Sequence, residues 1–185
     1  MNTIVTSREA IIKACRELAE KQGLNNLNMR TVAEKCGVSV GSIYNYFPSK
    51  TDLIAATIQD IWRGIFHSDN LCQKANSFEE YVTWIFDSVK KGASEYPNFF
   101  VAHSMSFARG ERGPARQVMD EYFDHIKAGL LYALHNDSRV KPDAFTVAFT
   151  EEDFVEFVFS SLLSLLMKQK DSCLVLIEIT KRTIY

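Results

Sequence analysis

The stretch Asn28–Lys50, N-M-R-T-V-A-E-K-C-G-V-S-V-G-S-I-Y-N-Y-F-P-S-K, sets the tightest limits on how this chain folds. It predicts two short helices joined by a tight turn. Asn28 is an N-cap residue whose side-chain oxygen accepts from a free backbone N–H. Met29, Val32, Ala33 and Cys36 follow at i, i+3, i+4 and i+7 and make one apolar face. Gly37 stands where a left-handed residue ends a helix. Val38 is the buried turn residue, and Ser39 caps a second helix, Val40–Phe47. Pro48 stops it, because the residue before proline avoids helical angles. Ile43 and Phe47 lie one turn apart and face inward. Val40, Gly41, Ser42, Asn45 and Tyr46 are left outward, and no acid occurs among them. A helix with so small and uncharged an outer face approaches a DNA major groove closely, its side chains reading base edges while the flanks hold phosphates. An ordinary helical hairpin fits G-V-S-x-G equally well.

The longer string separates these two readings. I-x-x-A-C-x-x-L-A-x-x-x-G (Ile11–Gly23), followed by V-A-x-x-C-G-V-S-V-G-S-I-Y-N-Y-F-P-S-K-T-D-L (Val32–Leu53), resembles the N-terminal domain of the tetracycline-repressor (TetR) family of transcriptional regulators. The resemblance covers about residues 7–60 and is ungapped over its second part. Asn28 stands where the family usually has threonine, and both cap. Tyr46 stands where the family often has histidine. The resemblance implies an all-α chain of about nine helices: a three-helix, helix-turn-helix head over residues 1–50, then an effector-binding and dimerisation body over 51–185, with a fourth helix (about 50–66) connecting them. It implies a homodimeric repressor on a palindromic operator. Arg30, Val40, Gly41, Ser42 and Asn45 would face bases, and Ser42, Tyr44, Tyr46 and Lys50 would reach phosphates. Asn28 and Ser39 complete the DNA-binding set at the two helix starts.

Charge agrees in its distribution rather than its sum. The formal net charge is −2, but residues 1–50 hold seven Lys/Arg against four Asp/Glu, and the remainder 14 against 19. A basic head on an acidic body suits a head that meets phosphate. Cys15, Cys36, Cys72 and Cys173 form no C-x-x-C pair and follow no signal peptide, so free thiols in a reducing cytoplasm are expected. Cys15 and Cys36 fall at apolar helix positions, and a redox role for Cys72 or Cys173 stays open. No apolar run is long enough to span a bilayer.

The remaining helices follow from caps and periodicity. Thr6-x-x-Glu9 reads as a capping box for the first helix, starting at Thr6 or Ser7 and closed by Gly23. Ser49-x-x-Asp52 opens the fourth, with Lys50 poorly placed for the helix dipole and so a candidate phosphate contact. His67–Asn76 is polar and marks the boundary. Ser77-x-x-Glu80 opens the fifth helix, Pro97 the sixth (to about Ala108) and Pro114 the seventh, in which Gly129 marks a bend or a close contact. Asn136–Ala148 reads as a long loop. Thr150-x-x-Asp153 begins the eighth, apolar nearly all round from Phe154 to Met167, which requires cover on two sides. The ninth spans about Ser172–Ile184. Propensity alone allows a strand at Leu174–Ile179, and the all-helical context favours helix.

Catalysis finds no foothold. His67, His103, His125 and His135 show no metal-ligand spacing, and no G-x-S-x-G, P-loop or Rossmann fingerprint occurs, so neither enzyme activity nor a cofactor is expected. The bulky residues of the fifth to seventh helices are either plain core or the lining of an effector pocket. The family resemblance favours the pocket, with Phe99, Phe100, His103, Phe107, Met119, Tyr122 and Phe123 as its candidate lining. Few charges fall among them, which points to a mainly apolar or aromatic effector. Two other readings stay open: an activator or protein-partner-controlled regulator of the same fold, and a helical enzyme or dimeric scaffold with a degenerate head.

Overall fold

The computed structural model describes residues 6–67, 77–96 and 113–185. Eight α-helices and no strand occur among them: α1 (Arg8–Gln22), α2 (Met29–Cys36), α3 (Val40–Tyr44), α4 (Lys50–His67), α5 (Phe78–Glu95), α6 (Pro114–Asn136), α7 (Glu151–Met167) and α8 (Leu174–Ile184). A single 3₁₀ turn, Leu24–Asn26, links α1 to α2. The expected sixth helix at 97–108 lies outside the described residues, as do the effector candidates Phe99, Phe100, His103 and Phe107, and Cys72.

The helices start where polar side chains can satisfy free backbone N–H groups. Ser7, not Thr6, caps α1, its Oγ accepting from the Ala10 N–H at 3.1 Å. Thr150 and Asp153 close the expected capping box on α7. Asp52 N–H donates to Ser49 Oγ at 3.1 Å, and that hydroxyl donates to Asp52 Oδ2 at 2.7 Å. The last helix begins at Leu174 rather than Ser172, with the Leu174 N–H on Ser172 Oγ at 3.1 Å. It is a helix throughout, so the strand propensity of Leu174–Ile179 is overridden.

The chain forms two compact units, one from Met1–Ile65 with Gly92–Asp120 and the other from Phe66–Lys91 with Glu121–Tyr185. In the first, Ile11, Cys15, Val32, Ile43, Leu53 and Ile58 make a core with almost no exposure. Trp62, also buried there, donates its indole N–H to Met119 Sδ at 3.0 Å. In the second, Phe78 packs against Phe154, with ring centroids 5.5 Å apart. Gly129 marks a close contact: a Cβ there would lie 2.1 Å from the Tyr81 hydroxyl.

The second unit also holds a polar knot on Asp137, which is 5% exposed. Asp137 Oδ2 accepts from the Phe78 N–H at 2.9 Å and Arg139 Nη2 at 3.1 Å, and from the Tyr185 hydroxyl. Arg139 also donates to Glu79 Oε1 at 3.1 Å, and Lys181 Nζ pairs with Glu79 Oε2 at 2.8 Å. Burial opposes charge on Asp137, but these donors outweigh it and hold the carboxyl well below the ordinary range. The knot ties the start of α5, the loop after α6 and the end of α8 to one another.

Candidate nucleic-acid interface

Short-range bonds build the two-helix unit of the head. Asn28 Oδ1 accepts from the Arg30 and Thr31 N–H groups at 3.1 and 3.0 Å. This fixes the first turn of α2. Gly37 adopts a left-handed φ of 67°. The turn closes with Gly37 N–H on the Glu34 carbonyl at 3.1 Å and Val38 N–H on the Ala33 carbonyl at 3.0 Å. Val38 is half-buried rather than buried, and so is Cys36. Ser39 caps α3 by accepting from the Ser42 N–H at 3.1 Å, and its hydroxyl also meets Ser42 Oγ at 2.9 Å.

α3 is shorter than the sequence predicts. Its regular part ends at Tyr44, and the Tyr46 and Phe47 N–H groups both close on the Ile43 carbonyl at 3.0 Å. Two N–H groups sharing one carbonyl tighten the last turn ahead of Pro48. The inward pair is as expected, Ile43 at 0% exposure and Phe47 at 2%. Gly41, Tyr44, Asn45 and Tyr46 are exposed, while Val40 and Ser42 are half-buried. Arg30 and Lys50 are exposed as well. A Cβ added at Gly41 would meet only Ser39 Oγ, at 3.7 Å, an ordinary contact. The fold itself therefore does not require glycine there.

Tyr46 lies outward as expected, but it is tied back to the fold. Its hydroxyl donates to the Thr6 backbone carbonyl at 2.8 Å, across 40 residues of sequence. Nothing local in the sequence signals this bond.

Burial disfavours the thiolate at each cysteine in view. Burial pushes the Cys15 thiol up to about 11, and burial likewise raises Cys36 and Cys173. A redox sensor needs the opposite shift. No group of His, Cys, Asp and Glu suited to a metal ion occurs among the described residues, and no described helix is long and apolar enough to cross a membrane.

Three effector candidates lie in view. Met119 accepts from Trp62, Phe123 packs edge-on against Phe159 with centroids 5.2 Å apart, and Tyr122 is half-buried. A cavity of about 530 Å³ lies elsewhere, between α5 and α8, lined by Glu79, Thr83, Trp84, Asp87, Ile177 and Lys181 among others. The sequence reading did not find it, because its two walls are about a hundred residues apart along the chain.

The head is thus a buried-core, capped helix-turn-helix with an uncharged second helix. Residues 11–57 match the family model described as bacterial regulatory proteins, tetR family. The head of the chain is therefore similar to that family's members over this stretch. It is 43% identical over 51 residues to the HTH-type transcriptional repressor KstR of Rhodococcus jostii (strain RHA1), which covers 28% of this chain and 24% of that protein. The chain thus matches only about a quarter of the length of such curated relatives. Solved structures extend the likeness of fold. The multidrug binding protein EbrR complexed with imidazole is similar with a TM-score of 0.64 at 20% identity, over 96% of this chain and 89% of that one. BioQ with its double-stranded DNA operator is similar with a TM-score of 0.58 at 18% identity, over 89% and 86%.

Proposed function

We propose that this chain is a DNA-binding transcriptional regulator that acts as a homodimeric repressor and leaves its operator when a mainly apolar small molecule binds the body. The observation that carries the DNA reading is the outer face of α3: acid-free, small except for Tyr44, capped at its start and pinned from within by Ile43 and Phe47. Arg30 at the first turn of α2 and Lys50 at the start of α4 flank it. In this reading Arg30, Val40, Gly41, Ser42 and Asn45 meet bases, and Tyr44 and Lys50 meet phosphates. KstR is named a repressor and BioQ was crystallised on its operator, which supports the same assignment.

The dimer reading is supported by bare apolar side chains on α7 and α8. Phe157 and Met167 are 51% and 49% exposed, and Val175 and Ile179 are 76% and 45% exposed. Ser160 and Ser164, one turn apart and exposed, leave room for a close helix approach. On a palindromic operator the two heads of such a dimer would sit in successive major grooves, about 34 Å apart. An effector would then act by population shift, limited by its differential affinity for the two states. EbrR, crystallised with imidazole and with proflavin, supports small-molecule control by analogy.

The test is a gel shift on the DNA upstream of the chain's own gene, with two variants. Arg30→Ala should relax preference at one base pair by about 1–3 kcal/mol. Lys50→Ala should weaken binding on every sequence and lower the salt slope by about 1 per half-site. Equal losses of preference and slope in both variants would refute this division of labour. Addition of transcription in vitro separates a repressor from an activator of the same fold.

A further inference from the structure

We propose that Tyr46 is a positioning residue for the base-reading helix, tying the end of α3 to the start of α1, and is not a phosphate ligand. The proposal rests on the DNA-binding reading and assigns one of its residues a different part. A phenol carries one proton, and a phosphate oxygen only accepts. The Tyr46 proton is spent on the Thr6 carbonyl at 2.8 Å. That carbonyl precedes the Ser7 cap, and the first helical bond of α1 runs from the Ile11 N–H to the Ser7 carbonyl at 3.0 Å. The α1 ladder therefore supplies no N–H to Thr6 O, and Tyr46 supplies one from outside.

A second contact spans the same junction. The Arg8 guanidinium carbon lies 5.2 Å from the centroid of the Phe47 ring, a cation–π geometry. Phe47 is buried, so its ring offers Arg8 a fixed platform. These two contacts matter because α3 is only five residues long. So short a helix has no stiffness of its own. Ser39 holds its first turn and Ile43 its depth. Tyr46 and Phe47 hold its far end against α1. The angle at which Gly41 and Asn45 are presented therefore depends on a tie that makes no contact with DNA.

The test compares full-length wild type, Tyr46→Phe and Arg8→Ala. In the DNA-free protein, Tyr46→Phe should move the Thr6 carbonyl carbon resonance and speed amide exchange at residues 44–47. Its affinity for the operator should fall about tenfold, the scale of one lost hydrogen bond. Its affinity for unrelated DNA should stay within about twofold, with an unchanged salt slope. Arg8→Ala keeps the hydroxyl, loosens the same junction and should lower operator preference in the same direction. A phosphate role predicts the reverse: operator and unrelated DNA weaken together, and the free protein is unaltered. That result, or an unmoved Thr6 carbonyl, overturns the proposal. Wild-type protein without any sequence preference would remove the DNA reading itself, and the positioning role with it.

Discussion

The outer face of α3 and the outer faces of α7 and α8 solve opposite problems. On α3 and the turn that closes it the outward residues are small or carry a polar group, the Tyr44 and Tyr46 hydroxyls included. Asn28, Ser39 and the closing turn at Gly37 each satisfy backbone groups at the helix ends. On α7 and α8 the outward residues include Phe157, Met167, Leu174, Val175 and Ile179, all large, apolar and exposed. Burying one such side chain is worth about 1.5–3 kcal/mol. Leaving a row of them in water is a standing cost unless another apolar surface covers them. The contrast teaches that the head is finished as a surface, whereas the body presents a face suited to association.

The largest expected effect lies on that apolar face. Phe157→Glu removes nothing from the core, because the ring is half in water. If the face pairs with its symmetry mate, the charge should weaken the dimer by about 2 kcal/mol or more, the scale of an interface anchor. Sedimentation should then show monomers at concentrations where wild type is dimeric. Wild type sedimenting as a monomer at micromolar concentration would erase the contrast.

Acid offers a second way to separate the regions. Asp137 is held below its ordinary pKa by Arg139, Tyr185 and two backbone N–H groups. A carboxyl with a lowered folded pKa adds stability that is fully present above its unfolded value, about 3.9. That stability drains away as the pH falls below this value. The second unit should therefore loosen on acidification from about pH 4 downward. Trp62 lies in the first unit and Trp84 in the second, so single-tryptophan variants report each separately. Asp137→Asn should lower stability at neutral pH and flatten the acid response of Trp84. An acid transition seen equally by both reporters and untouched by Asp137→Asn would break the assignment.

The smallest effect sharpens the reading of α3. Gly41→Ala meets nothing closer than 3.7 Å. Alanine favours helix over glycine by about 0.8–1.0 kcal/mol in helix interiors. Stability should hold or rise slightly while operator affinity falls. Thermal unfolding and a gel shift on the same sample measure both. Lost stability with unaltered DNA affinity would show that Gly41 serves the fold.

Most of the head was legible because its signals are local. Asn28, Gly37, Ser39 and Pro48 each act within four residues, and Ile43 and Phe47 declare the inner face by spacing alone. The body's helix starts at Ser77, Pro114 and Thr150 were readable for the same reason. What escaped depends on partners far along the chain. Thr6 and Ser7 offer equivalent hydroxyls for a cap, and Ser7 alone takes that role while the Thr6 carbonyl meets Tyr46. Asp137 sat in a stretch that reads as polar loop, yet its donors Phe78 and Tyr185 are 59 and 48 residues away. The lining between α5 and α8 stayed hidden because neither wall carries a motif.

The support of α3 from its inner side and its ends leaves Gly41 and Asn45 almost free of duties toward the fold. In the proposed reading, recognition and stability are thereby written in different residues. Such a head can drift toward a new operator by single substitutions at outer positions without a compensating repair in the core. If the proposed interface holds, the two-helix unit is a separable module for changing which sequence is read, and its evolvability is a property of where Ile43, Phe47 and the two caps were placed.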